Sequence, residues 1–537
     1  MTSQARAPVA TDQPASLGGS ESTTTGWWGR IEGALELASE RLNPILVKEA
    51  RQALKSRQFL ITFTLLLTFG WAWSILGVAL LSPGVYFAPG GRFMLIGYYL
   101  VLAAPVLIIV PFSAFRSLAS EREDGTFELL SITSLSSRQI VTGKLGSAIL
   151  QMLVYYSALA PCIAFTYLLR GVDIVTILLV LSYTFLASLL LSAVGLVVAT
   201  ASHVRHWQVV LSVLLLMGLL FVLIIISALL VNLIGTGETL AYRMPDVWIA
   251  HVAVMSFFVS CMVLLVLAAA SQISFASDNR STKLRVLMMI QQGLWIGWMT
   301  YVWIRVEEDE VLYVIAAIGG VYWAVMGALL SGEIAQLSPR VKRSLPQSFL
   351  GRMAFTWFNP GSGTGYTFAV SNLLGLVLGT GVLGVSAQIA GFAGAPRDLS
   401  LLIFGLLIVA YVTAYLGIGR LFVLLLRRLM HTGLLLSILM NALLALLGAA
   451  SPVLLQAWLN GYGNLHYSSL QFSNWAWTLV EAAEGNMLLY PSVLAVVFLG
   501  AGAVFLLNLA FTVAEVEQVR AAMPKRVLED NEAGVSE

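Results

Sequence analysis

Apolar residues run along this chain in long blocks separated by short polar stretches. A helix needs roughly 20 mostly apolar residues to cross the hydrocarbon of a bilayer. Twelve blocks meet that length: about 59–81, 93–114, 145–169, 173–200, 208–234, 249–273, 286–304, 311–331, 366–391, 399–424, 433–457 and 489–514. The alternation expected of a lipid-facing barrel strand is absent, so the blocks predict helices. The expected fold is an all-α polytopic membrane protein with about twelve transmembrane helices. Composition agrees: of 537 residues 58% are hydrophobic and 11% charged, against about 25% charged in soluble domains.

Charge placement then orients the chain. With the N-terminus inside, twelve crossings return the C-terminus to the cytoplasm. Of the 30 Lys and Arg residues, all but Arg92, Arg170, Arg243, Arg305 and Arg397 then lie on the cytoplasmic side. Outer loops carry acids instead, as in Glu307-Glu308-Asp309-Glu310. This obeys the positive-inside rule, and the reverse orientation breaks it in nearly every loop. The expected location is a cytoplasmic (inner) membrane, crossed many times.

The pattern also divides the chain. Residues 1–26 are rich in Ser, Thr, Gly, Ala and Pro, lack the apolar core of a cleavable signal, and read as a disordered tail. Residues 27–58 read as amphipathic interfacial helices. Asn43 can cap and Pro44 suits the first helical position. Leu46, Ala50, Ala53 and Leu54 form one stripe, flanked by Lys48, Arg51, Lys55 and Arg57. Such an entry helix suits the inner interface, its cations near anionic head groups. A six-span region follows over 59–280, with a long cytoplasmic loop at 115–144. A second six-span region, 281–514, has its own long inner loop at 332–365, and residues 515–537 form a cytoplasmic tail. Long loops in matching positions suggest either a degenerate duplicate of the first region or an accessory block.

Candidate chemistry is sparse. Leu135-Ser136-Ser137-Arg138-Gln139 resembles the signature loop of an ATP-hydrolysing cassette, but no G-x-x-x-x-G-K-[ST] phosphate cradle occurs anywhere. No loop reaches the size of a nucleotide-binding domain. The local reading of Ser136 and Gln139 is a capping box that starts the third span. Gly361-Ser362-Gly363-Thr364-Gly365 has no lysine and reads as a flexible entry to the ninth span. His203 and His206 lack carboxylate or thiol companions and read as an interfacial cluster with Trp207, with no metal expected. Glu481 and Glu484, beside Trp475 and Trp477, read as an outer surface helix. Cys162 and Cys261 fall within spans and read as packing residues. Span interiors hold almost no ionisable residues, and neither HExxH nor GxSxG is present, so no catalytic site is expected. No nucleic-acid partner is expected either.

One loop breaks the polar rule. After Gly125 a short helix capped by Thr126 would display Phe127, Leu129, Leu130 and Ile132, with Glu128 in its first turn. A solvated loop does not show such side chains, so they want a partner surface or the membrane plane. The run "ASEREDGTFELLSITSLSSRQIVTGKLGSAIL" resembles the first cytoplasmic loop of type-2 ABC transporter permeases (the ABC-2 family). The pattern stands here as Glu121, Glu123, Gly125, Thr126, Glu128, Leu129, Leu130, Thr133, Leu135, Ser136, Ile140, Gly143 and Lys144. "NPILVKEARQALKSRQF", with Asn43, Pro44, Lys48, Glu49 and Arg51, resembles that family's entry helix. The likeness covers about residues 40–280.

The resemblance implies a membrane-spanning permease subunit of an exporter, not an enzyme itself. It implies no cofactor in this chain and ATP-Mg on separate cytoplasmic ABC ATPase subunits. In that family the short helix docks in a groove of the ATPase. Phe127, Leu129 and Leu130 would be its apolar contacts, and Glu121, Arg122, Glu123 and Glu128 its polar rim. Spans 2 and 3 would act as levers, with Pro105, Pro111 and Pro161 as places to bend. A lone six-span unit needs a second permease copy to enclose a path; here the copy is either the second half or another chain. The rival expectations are a non-transporting membrane scaffold or anchor on the same fold, and a membrane-bound glycan or lipid enzyme.

Overall fold

The structure, a computed structural model, describes residues 43–82, 89–123, 136–202, 204–235, 242, 244–274, 279–334, 356–396, 399–428, 434–460 and 466–520. The tail expected over 1–26, the stretch over 27–42 and the loop residues Gly125, Thr126, Phe127, Glu128, Leu129 and Leu130 lie outside them. The described residues contain helices and turns and no strand.

An entry helix α1, Pro44–Leu54, starts where expected: the Asn43 side chain accepts from the Ile45 amide at 3.1 Å, and Pro44 occupies the first turn. Long helices follow as α2 Arg57–Leu81, α3 Gly91–Glu123, α4 Ser137–Leu168, α5 Ile174–Thr200, α6 Arg205–Gly235 and α7 Pro245–Ile273. The second half supplies α8 Thr282–Val306, α9 Glu310–Ser331, α10 Ser362–Ala390, α11 Ser400–Leu426, α12 Leu434–Asn460, the short α13 Trp475–Ala483, and α14 Pro491–Arg520. Eleven helices among the described residues are long and apolar enough to cross a membrane. Of the twelve expected, α8 is the one that falls short. It has 25 residues, but Lys283, Arg285, Gln291, Gln292 and Arg305 dilute its apolar character.

Several helix ends differ from the hydropathy pattern. The loop expected at 115–144 is largely helix, because α3 continues to Glu123 and α4 begins at Ser137. The capping box is present: Ser136 Oγ accepts from the Gln139 amide and Gln139 Oε1 accepts from the Ser136 amide. At the other end of the chain, α14 runs on to Arg520, so residues 515–520 belong to the last helix and not to a tail. Within α3, a π turn spans Pro105–Ile109. The proline has no amide hydrogen to give, which frees the ladder to widen there.

Packing divides the helices into two sets. In the first, α3 packs on α2, α4, α5 and α6; α4 also meets α2, α5 and α7; and α5 also meets α6 and α7. In the second, α9 packs on α8, α10, α11 and α12; α10 also meets α8, α11 and α14; and α11 also meets α12 and α14. Taken in chain order, the second set repeats every pairing of the first. One side-chain bond repeats as well. The Trp73 indole on α2 donates to the Met94 carbonyl on α3 at 3.1 Å. The Trp295 indole on α8 donates to the Ile315 carbonyl on α9 at 3.2 Å.

The two units meet along α7 and α8. Phe257 and Trp295 rings lie 6.0 Å apart there, and the Trp298 indole donates to Ser256 Oγ at 2.9 Å. Each unit has its own apolar core: Phe115, Leu118, Leu196 and Ala269 in the first, and Trp323, Phe368, Leu373 and Leu407 in the second. Close helix approach relies on glycine. A Cβ on Gly195 of α5 would sit 2.8 Å from the Pro111 carbonyl oxygen of α3.

Candidate functional site: the α1–α3–α4 junction

The chain leaves the end of α3 at Glu123 and re-enters a helix at Ser137, so the ends of these two helices carry the predicted coupling loop. They are tied together by charge. Lys144, about two turns into α4, is buried with a side chain only 1% exposed. Its ammonium reaches Glu49 Oε1 on α1 at 3.1 Å and Glu121 Oε2 on α3 at 2.9 Å. It also donates to the Ser117 carbonyl at 3.2 Å. A buried ammonium is tolerated only when its hydrogens are satisfied in this way. Lys48, itself exposed, reaches Glu121 Oε1 at 3.5 Å from outside.

The same junction is packed by size. Gly143 and Gly146 on α4 receive Ile45 and Leu46 of α1; a Cβ on Gly143 would stand 2.9 Å from the Ile45 Cβ. Asn43 Nδ2 donates to the Gln139 carbonyl at 2.5 Å, fixing the start of α1 to the first turn of α4. One residue past Glu121, Arg122 Nη1 donates to the Thr200 carbonyl at the end of α5 at 3.0 Å. Four helices therefore share one electrostatic and steric knot.

The stripe expected on α1 is packed in part: Ala50 is buried, Leu46 meets Gly146 and Ala53 is half-buried, but Leu54 is exposed. Ile45 and Glu49 are buried as well, Glu49 because it has found a partner 95 residues away. Glu121, expected in a polar rim with Arg122, meets Lys144 and Lys48, and Arg122 reaches Thr200. Glu123 is exposed, as are Pro44, Lys48 and Arg51.

The second unit has a different knot at the same end of the bundle. Arg285 of α8 is fully buried and donates to Glu333 Oε2 at 2.6 Å and to the Trp357 carbonyl at 2.5 Å. Arg427, just past α11, donates to the Gly332 carbonyl at 2.7 Å. Burial lowers the Arg427 pKa from its ordinary value and nearby Glu515 opposes that shift. Inside α11, Arg420 is enclosed by Ser362 Oγ at 3.2 Å, Asn508 Oδ1 at 3.0 Å, Thr512 Oγ1 at 3.1 Å and Glu515 Oε2 at 2.9 Å. Glu515 also accepts from the Ser362 and Gly363 amides, both at 3.1 Å. Those amides open α10, where a carboxylate is favoured by the helix dipole.

The Gly361–Gly365 stretch is thus a buried, carboxylate-capped helix start and not a flexible entry. Span interiors are expected to hold almost no ionisable residues, and Arg420 within α11 is an exception that a mean hydropathy hardly registers. Its cost in lipid was the available signal.

Elsewhere, α13 forms as expected, with Trp477 Nε1 donating to Glu481 Oε1 at 3.2 Å. It docks on the bundle: Tyr411 and Tyr415 of α11 donate to the carbonyls of Phe472 and Ser473. The two cysteines are free and part-buried. His203 lies outside the described residues, while the His206 ring lies beside Trp207. Among the described residues no group of three or more His, Cys, Asp or Glu could hold a metal ion. No protein-family model, no curated protein and no solved structure matches this chain.

Proposed function

We propose that this chain is the membrane-spanning permease subunit of an exporter of the type-2 ABC class, in the inner membrane, powered by separate cytoplasmic ATPase subunits. The observation that carries the reading is the Glu49–Lys144–Glu121 knot. A push delivered to the stretch between α3 and α4 would meet two helix ends already locked to each other, to α1 and, through Arg122, to α5. Such a foot moves as a body, as a coupling element must if domain closure is to reach the spans. The Phe127, Leu129 and Leu130 side chains would supply the docking contacts and Glu128 the first-turn acid. ATP and Mg would bind to the partner alone.

The repeated helix pairing supports a further part of the reading: the chain carries two permease-like units fused in tandem. On that basis one chain serves two ATPases. Native mass measurement of the purified complex checks this, and two chains per two ATPases would refute the fusion.

The coupling assignment is tested by co-purification. An ATPase retained by the wild-type chain is lost from Leu129→Asp/Leu130→Asp. Unchanged retention in that variant rejects the docking role. Retention lost without any effect of ATP on α3–α4 spacing favours a scaffold.

A further inference from the structure

Beside the knot lies a cavity of about 260 Å³, bounded by α1, α2, α3 and α4. Its two long walls are polar stripes at helical spacing. Ser113, Ser117 and Ser120 line it from α3, and Ser147 and Gln151 from α4. Phe59, Ile109 at the π turn and Tyr155 close its deep end. Lys144 and Tyr155 are 11 positions apart on α4, so the crevice extends about 16 Å along that helix at ~1.5 Å per residue. Polar residues of membrane helices face cavities or partners, and π turns recur at functional sites.

The bonding state of the walls defines what fits. Ser113, Ser117 and Ser120 give their hydroxyl hydrogens to carbonyls of their own helix, at 2.8, 3.0 and 3.4 Å. The Ser117 oxygen already accepts from the Lys144 ammonium at 3.4 Å, but the Ser113 and Ser120 oxygens are left as acceptors, which suit a group bearing O–H or N–H. The Gln151 amide contributes a donor held only loosely, 3.5 Å from Ser147 Oγ. Arg116 also lines the cavity. It is exposed and makes no hydrogen bond or ion pair among the described residues. Unlike Lys144, whose charge two carboxylates meet, this guanidinium is available to an anion, and its fork suits phosphate oxygens. The volume is below the roughly 300 Å³ of a drug-sized pocket, so a head group fits and acyl chains do not. Exposed Leu60, Ile61 and Leu65 of α2 offer an apolar surface for those chains.

We infer that the crevice binds the head group of a phospholipid from the leaflet on the α1 side, with its phosphate on Arg116 and a donor-bearing alcohol, ethanolamine or glycerol, among the serine oxygens. Glu49 and Lys144 of the knot also line the crevice, but a lipid fills it without an ATPase partner.

The test is lipid retention by the full-length chain, delipidated in detergent and retitrated with single lipids under native mass spectrometry. Phosphatidylethanolamine and phosphatidylglycerol bind one molecule per chain about tenfold more tightly than phosphatidylcholine, whose quaternary ammonium has no hydrogen to donate. Arg116→Gln weakens both about tenfold. Ser113→Ala/Ser120→Ala erases the preference over phosphatidylcholine, while near-native thermal unfolding shows that the variant is folded. Equal retention of phosphatidylcholine by the wild type, or an Arg116→Gln chain that binds as well as the wild type, overturns the assignment. Ethanolamine phosphate binding as tightly as the lipid would assign the site to a soluble phosphate ester and overturn the lipid source. ATPase co-purification is scored separately, so the failure of one reading leaves the other in place.

Discussion

The two six-helix units share their pairings and differ in how the α1-side end of each is held. In the first, the bonds at that end are carried by one lysine and two glutamates, one of them on the separate entry helix α1, and a polar crevice lies alongside. In the second, two buried arginines close the end, and Arg420 is wrapped by acceptors from α10 and α14. Among the described residues the same helix layout thus supports two kinds of end: one joined to the outlying helix α1, the other held by arginines within the unit.

The largest expected effect comes from opening the sealed end. Arg420→Leu leaves half-buried Glu515 against α10 without its nearest cation, and breaking one partner of a buried pair costs up to about 3–5 kcal/mol. The second unit should unfold at markedly lower temperature in detergent, read by thermal unfolding with tryptophan emission. Arg420→Lys recovers only part of the loss, since three ammonium hydrogens cannot replace five in a fixed fork. A fully stable Arg420→Leu chain would refute the view that this arginine seals the unit.

The matching change in the first unit is Lys144→Met, which leaves Glu49 and Glu121 facing each other with only the exposed Lys48 beside Glu121. The cost is again about 3 kcal/mol, but it falls on α1, whose remaining hold on α4 is the Asn43 bond and the Gly143 and Gly146 contacts. Proteolysis within 44–54 should speed up while the second unit keeps its protection. Adding Glu49→Met restores part of the protection, because two apolar side chains can replace a buried pair. Equal exposure of both units in Lys144→Met would remove the contrast.

Gly143→Val probes the same docking by size alone. Its Cβ would come 2.9 Å from the Ile45 Cβ, and overpacking of this kind costs about 1–3 kcal/mol. The expected outcome is α1 release at a lower temperature than the bundle itself, followed by a spin label at Lys48→Cys. Ile45→Ala, which removes the Cγ2 that lies equally close but keeps the Cβ, should relieve only part of it.

Much of this architecture is legible in the sequence, and what is not has a common cause. The long apolar runs, the Asn43 cap and the Ser136–Gln139 capping box depend on neighbours within a few positions, so periodicity finds them. Glu49 with Lys144 and Arg420 with Glu515 are each 95 positions apart. No local pattern connects them, and the apolar stripe on α1 says nothing of the buried Glu49 beside it. The available signal is energetic: a lone charge in an apolar run must have a partner. The docking half of the loop, Gly125 to Leu130, is read from sequence alone.

The smallest effect tests the comparison itself. Trp73 and Trp295 make the same bond in the two units, from the first helix of each to a carbonyl of the second. If the units are true repeats, Trp73→Phe and Trp295→Phe each remove one half-buried hydrogen bond, worth about 1 kcal/mol. The sites share no partner, so the double variant should lose the sum of the two. A loss at one tryptophan and none at the other would mean that the shared geometry is not shared energetics. Only equal losses would make the bond part of the common frame, leaving the two α1-side ends as the place where the units have diverged.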